Sequence, residues 1–197
     1  MIVSIFEQFP CGETERCLLI QPRSEFAAQL FEIYGDNDTM QFMQRPPAQT
    51  VLECETLIAA WNDDFQCQKS IRWAIMLKNN PEKLIGTVAL HYWSIQNRRV
   101  ELGADINKLY WGKGISSEVT KEVIDFAFEK LNVNRLELRC DPRNMGSIVI
   151  AQKFGFTFEG TLREHVYVEG KGFVDETVYA KLRKDHLALK KCDRERM

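Results

Sequence analysis

Leu109-Tyr110-Trp111-Gly112-Lys113-Gly114-Ile115-Ser116-Ser117-Glu118 decides how this chain is read, because a loop with two glycines runs straight into an amphipathic helix. Gly112 and Gly114 let the backbone bend so that successive N–H groups point inward. The first unpaired amides of the helix add their partial positive charge at the same spot. Such a junction suits phosphate, and a pyrophosphate is its natural guest. Two commoner phosphate motifs do not fit. A P-loop needs an earlier glycine and a Ser or Thr after the lysine, whereas Lys113 is followed by Gly114. A dinucleotide fingerprint needs a third glycine where Ser117 stands. Gly-x-Gly alone is equally an ordinary turn before a helix, so its surroundings decide.

Those surroundings alternate strand and helix. Upstream, Val100 to Ile106 reads as the strand that delivers the chain to the loop. Downstream, Ile115, Val119, Val123, Phe126, Ala127 and Leu131 recur at helical spacing, with Glu118, Lys121, Glu122, Asp125 and Glu129 on the other face. Arg135 to Cys140 alternates with period two as a half-buried strand, ended by Asp141-Pro142-Arg143. A helix begins near Asn144, holds Ile148, Val149, Ala151 and Phe154, and stops at Gly155 in a left-handed position. Phe156 to Glu159 and Leu162 to Val168 read as strands, Glu169-Gly170-Lys171-Gly172 as a turn, and Phe173 to Leu182 as the return strand. In the first half, Ser24 to Tyr34 reads as a helix ended by Gly35, and Asp36-Asn37-Asp38 as loop. Thr50 with Glu53 signals a capping box before a helix whose Leu57, Ile58 and Trp61 face inward. Ile71 to Lys78 and Leu84 to Trp93 read as strands joined through Asn79-Asn80-Pro81.

The set Trp111-Gly112-Lys113-Gly114, Phe126-Ala127-Phe128, Asn144-x-x-Ser147, Lys153-x-Gly155-Phe156 and Glu159-Gly160-x-Leu162-Arg163, in this order and spacing, resembles the GNAT N-acetyltransferases. The likeness is greatest to their ribosomal-protein N-terminal branch, the RimJ/RimL type. Thr14 to Pro22 looks like that branch's first strand, so the resemblance covers nearly the whole chain. It implies an α/β (α+β) fold with a central mixed, mostly antiparallel twisted sheet flanked by helices. Splayed strands form an acyl-CoA cleft within it. The expected domain is single, 1–197, with a core of about 14–184 and a charged, solvated tail over 185–197.

Composition fits an ordinary soluble domain: 197 residues, 45% hydrophobic, with a net charge of -2 that disfavours a nucleic-acid surface. The six cysteines show no CxxC pairing and sit mostly inside expected elements, which reads as reduced thiols in a cytoplasmic protein. Met1 to Phe6 lacks the basic start and apolar length of a signal peptide, and no segment is long enough to span a membrane. His91, His165 and His186 are far apart and show no metal-ligand spacing with the cysteines, so no metal is expected.

The resemblance implies acetyl-CoA as cosubstrate and a primary amine as acceptor. The pyrophosphate is then held by Tyr110, Trp111, Gly112, Lys113, Gly114, Ile115 and Ser116. The pantetheine lies along Ala104-Asp105-Ile106, in the splay between this strand and Leu136 to Cys140, where backbone N–H groups stabilise the oxyanion. Asn144 braces the cofactor or the helix start. Many GNAT enzymes carry a tyrosine four residues before the Gly-Phe pair as general acid. Ala151 stands there in this chain, so Ser147 becomes the group that protonates or hydrogen-bonds the leaving sulfur, or else a helix-capping serine. Leu109 also departs from the polar residue that begins many GNAT loops. Glu101 is the candidate base, with His91 and Glu164 in reserve, although alternation does not say which face of its strand is buried. Gln41 to Pro47 corresponds to the region that lines the acceptor site, or is a plain surface connection.

Three readings of function remain open at this point. The first is acetylation of a protein N-terminal α-amine. The second is acetylation of a small amine such as a polyamine, aminoglycoside or amino-acid-like metabolite, for which Glu32, Asp36 and Asp38 are candidate polycation ligands. The third is a non-catalytic acyl-CoA-binding module. Monomer and homodimer are both open.

Overall fold

The alternating runs of the sequence become eight strands in the computed structural model, which describes residues 3–194. They are β1 (Gly12–Glu13), β2 (Cys17–Ile20), β3 (Ile71–Leu77), β4 (Asn80–Ser94), β5 (Arg99–Ile106), β6 (Arg135–Cys140), β7 (Thr157–Val168) and β8 (Gly172–Leu182). One sheet contains them all in the order β1-β2-β3-β4-β5-β6-β8-β7. Every neighbouring pair is antiparallel except β5 and β6. The helices are α1 (Ala27–Tyr34), α2 (Asn37–Met40), α3 (Val51–Gln66), α4 (Ile115–Glu129), α5 (Met145–Lys153) and α6 (Arg183–Arg194).

Period-two alternation sends successive strand residues to opposite sides, and each side has its own core. Ile71, Trp73 and Ile75 of β3 join Val100 and Leu102 of β5 and Leu136 and Leu138 of β6. On that side they meet Val119, Val123, Ala127 and Phe128 of α4 and Ala151 of α5. Ala74 and Met76 face the other way, against Leu30 and Ile33 of α1 and Ile58 of α3. Fully burying a Leu, Ile or Phe contributes about 1.5–3 kcal/mol, so these two layers fix the sheet between the helix pairs.

The parallel pair that places the site is short. β5 and β6 are paired at Arg99–Arg135, Val100–Leu136 and Glu101–Glu137, and the ladder ends there. Leu102 to Ile106 stay paired to β4 on their other edge while Leu138 to Cys140 stay paired to β8. The two strands therefore split beyond Glu101.

Several expectations are met and others corrected. Arg135–Cys140 forms with the bounds read from sequence, and Gly155 follows α5 with φ +68°. Thr50 Oγ1 accepts from the Glu53 N–H, while Glu53 reaches back to the Gln49 N–H rather than that of Thr50. The first helix begins as a 3-10 turn over Ser24–Phe26. The Asp36-Asn37-Asp38 segment is not plain loop, because the Asp36 side chain caps the short α2 by accepting from Thr39. Of the apolar residues of α5, Val149 is exposed and Ala151 is buried. The two strands after α5 are one, β7, irregular near Gly160 and between Leu162 and Val166. The charged tail is not simply solvated. It forms α6, whose His186 is 5% exposed and stacks on Phe128. Residues 195–197, the Cys192 side chain and the first two residues of Met1 to Phe6 lie outside the described residues.

Candidate active site

Gly112 and Gly114 have φ +71° and +76°, the left-handed region where a side chain is strained, and a Cβ at Gly112 meets nothing within 4 Å. Gly114 is also the N-cap of α4 and contributes no side-chain cap. The first-turn amides of a 15-residue helix, over Ile115 and Ser116, are therefore left for an anion. The loop is held from both ends. Trp111 Nε1 donates to the Ile106 carbonyl at 2.7 Å, and Lys113 lies over the Tyr110 ring. Arg16 donates to the Lys113 carbonyl at 2.9 Å and to Glu118 at 2.6 Å. Glu118 also accepts from the Arg16 N–H and the Thr14 hydroxyl. This clasp ties the β1–β2 turn to the first turn of α4.

The split leaves a second set of backbone groups without a strand partner. Asn107 N–H donates to Ile85 O, so by antiparallel alternation Asp105, Gly103 and Glu101 bond toward β4. The N–H and C=O of the exposed Ala104 then face the open edge. Asp105 is the exception among the residues expected there. Its backbone faces β4, and its buried carboxylate accepts from Tyr34 at 2.6 Å and stands 3.4 Å from Arg72. Burial first, and then the Asp105 charge, hold the Tyr34 hydroxyl in its neutral form. Ile106 offers its N–H to the split, its carbonyl being taken by Trp111.

Glu101 lies on the α1/α3 side of the sheet, among polar side chains. Arg139 Nε is 3.4 Å from one of its oxygens and His91 Nε2 is 3.6 Å from the other. Arg139 also bridges Glu137 and Glu176, which are 4% and 5% exposed. Burial, opposed by Arg139 and aided by Glu176 and Glu137, pushes Glu101 up to about 7. Burial and the Arg72 charge push His91 down to about 4, so its ring is neutral. His91 packs over Gly103, where a Cβ would stand 3.2 Å from Nε2, and Nε2 has no hydrogen-bond partner among the described residues. Glu164, the other reserve base, is exposed on β7 with φ +50° and is not part of this group.

Ser147 stands in the first turn of α5, on the α4/α5 side. Asn144 Oδ1 accepts from the Ser147 N–H at 3.1 Å. Asn144 thus braces the helix start, one of the two roles expected of it, and the capping role falls to it rather than to Ser147. The Ser147 hydroxyl makes no hydrogen bond among the described residues.

A groove of about 460 Å³ runs between Gln41, Asp141 to Arg143, and Lys171 to Asp175 of the β7–β8 hairpin. Lys171 ties the hairpin to the α2 end by donating to the carbonyls of Met40 and Gln41 at 3.1 and 2.7 Å. Gln44 donates to Glu176, linking the groove wall through Arg139 to Glu101. Of the Gln41 to Pro47 segment, Gln41 lines the groove and Gln44 bonds to β8. The acids expected to hold a polycation are otherwise engaged: Lys108 pairs with Asp36 and Asp38, and Lys83 with Glu32. Sequence reading missed the Arg139–Glu137–Glu176 group and the Arg16–Glu118 clasp. The signal for the first was the Arg135-x-Glu137-x-Arg139 alternation, read only as the pattern of a half-buried strand.

The acetyltransferase (GNAT) domain model matches residues 16–157. "Uncharacterized N-acetyltransferase p20" of Bacillus licheniformis is 30% identical over 173 residues, covering 88% of this chain and 96% of that protein. "Putative ribosomal N-acetyltransferase YdaF" of Bacillus subtilis (strain 168) is 28% identical, covering 82% and 89%. The spermidine N(1)-acetyltransferase of Escherichia coli (strain K12) is 26% identical, covering 71% and 72%. The structure of the microcin C7 self-immunity acetyltransferase MccE, in complex with acetyl-CoA and AMP, superposes with a TM-score of 0.75 at 23% identity over 85% of this chain and 93% of that one. The chain belongs to the GNAT family and is an N-acetyltransferase.

Proposed function

We propose that this enzyme transfers the acetyl group of acetyl-CoA to the α-amine of a protein N-terminus. The observation that carries this reading is the relation of the two faces of the sheet at the β5–β6 split. The phosphate cradle and Ser147 lie on the α4/α5 side, and Glu101 lies on the α1/α3 side, joined through Arg139 to Glu176 of β8. Acetyl-CoA supplies the activated thioester. The cradle amides and the open edge of Ala104 bind and align it, and an N–H on that edge stabilises charge developing on the carbonyl oxygen. Glu101, with an ionisation near neutrality, takes the proton of the incoming amine. His91 Nε2 is a second acceptor beside it, suited to a primary amine with more than one N–H. The Ser147 hydroxyl hydrogen-bonds or protonates the departing sulfur from the other face. A cytoplasmic location accords with this substrate; no helix among the described residues is long and apolar enough to cross a membrane.

The groove between Asp141 to Arg143 and the β7–β8 hairpin is the proposed path of the chain beyond its first residue, and the relative YdaF carries a ribosomal name. The spermidine acetyltransferase relative favours a small-amine acceptor as the second reading. Against it, the acids nearest α1 and α2 are already paired with lysines. Acetyl-CoA-dependent thiol release against Ala-, Ser- and Met-starting peptides, polyamines and aminoglycosides separates the two. Turnover with a peptide class is expected. Turnover confined to small amines establishes the second reading, and binding without turnover a silent acyl-CoA module.

A further inference from the structure

The far end of α4 carries a second polar group, formed where α6 comes back along it. Asp125 and Glu129 are one turn apart and share a face. Opposite them, the His186 ring is stacked on Phe128 at 4.6 Å and 20°, which fixes its plane. His186 is 5% exposed, and its Nε2 is buried with no hydrogen-bond partner among the described residues. That nitrogen is 3.6 Å from Asp125 Oδ1, too far for a hydrogen bond. Two ligands about 2.1 Å from one tetrahedral zinc ion stand about 3.4 Å apart, close to this spacing. One ligand atom from each of Asp125, Glu129 and His186 lies within 4.8 Å of the others, and the half-exposed Glu129 can turn to close the remainder. Lys190 Nζ is 3.1 Å from Asp125 Oδ1 and also contacts Glu129, so a cation already sits between the carboxylates. Lys121 neutralises the other Asp125 oxygen at 2.9 Å.

We propose that Asp125, Glu129 and His186 form a binding site for a divalent transition-metal ion of the zinc type, with Lys190 as the competing internal cation. One imidazole and two carboxylates, with a fourth position open to water, suit Zn²⁺, whereas Mg²⁺ and Ca²⁺ take oxygen ligands. The ion ties α6 to α4. Asp125 is ten residues beyond Ile115, about 15 Å along the helix, so the site is separate from the phosphate cradle.

Calorimetric titration of the chelator-stripped full chain with ZnCl₂ tests the assignment. One ion per chain is expected. Binding should weaken about tenfold or more in Glu129→Gln and in His186→Gln, and tighten several-fold in Lys190→Met. It should be unchanged when the exposed Cys11 and Cys67 are both replaced by serine. Glu129 is on the surface, so its variant reports on the ion even if the His186 variant folds poorly. No saturable binding by the wild type, binding indifferent to Glu129→Gln, or binding lost with the two cysteines overturns the proposal.

Discussion

Burial acts in opposite directions on two neighbours at the head of the split, pushing Glu101 up to about 7 and His91 down to about 4. Near neutral pH the His91 ring is therefore neutral and only a hydrogen-bond partner, while Glu101, 3.6 Å away, is the group that can exchange a proton. For Glu101 the sign is opposite to that of a salt-bridged carboxylate. Between its ordinary value of 4.5 and about 7 the folded chain holds a proton that the unfolded chain releases. Raising pH through that window therefore erodes stability while creating the base. The rate of acetyl transfer at limiting acceptor should rise through an ionisation near 7. In Glu101→Gln that limb should vanish and turnover fall by roughly 10²–10⁴-fold, with the acetyl-CoA KM unchanged. An identical pH profile in the variant removes Glu101 from the reaction. Asn144 and Ser147 separate in the same way. Asn144→Ala should cost about 1 kcal/mol of stability through the lost cap, whereas Ser147→Ala should leave stability intact and slow turnover. Thermal melts and kcat measured on the same preparations distinguish them.

The phosphate cradle is a property of a loop and a helix start acting together. Gly112→Ala meets no steric obstacle, so its effect isolates the cost of φ +71° for a residue with a Cβ, about 1–2 kcal/mol. It should raise the acetyl-CoA KM with little change in kcat. Arg16→Ala should do the same from outside the loop by releasing the clasp on Lys113 and Glu118. A fall in kcat at saturating acetyl-CoA in both variants contradicts a binding role. At this scale the sequence was legible where local chemistry is decisive. The Gly-x-Gly junction, the Thr50 cap, the Gly155 stop and the Arg135–Cys140 alternation all depend on residues within a few positions of one another. It was illegible where distant segments meet. Nothing local says that Arg16 reaches Glu118 across 102 positions, or that Asp105 turns its carboxylate to Tyr34 across 71. The solvated reading of the tail failed likewise, because Phe128 supplies the surface for His186 from another helix.

Over the whole molecule, the sheet is a partition. Strand alternation alone put Glu101 and Gly103 on one face, but only the packing of α1 and α3 against Ala74 and Met76 identifies that face as the α1/α3 side. Only the ladder's end after Glu101–Glu137 opens a passage between the sides. The proposed function then entails direct transfer, with thioester and amine meeting at the split from opposite faces and no enzyme nucleophile between them. Cys140, the thiol nearest that region in sequence, is buried, bonded to Thr177 and pushed up by burial, which keeps it a thiol rather than a reactive thiolate. Initial rates measured while acetyl-CoA and acceptor are varied together test this account most directly. Intersecting double-reciprocal lines, the signature of a complex holding both substrates, are predicted; parallel lines, the signature of an acetylated enzyme intermediate, would contradict it.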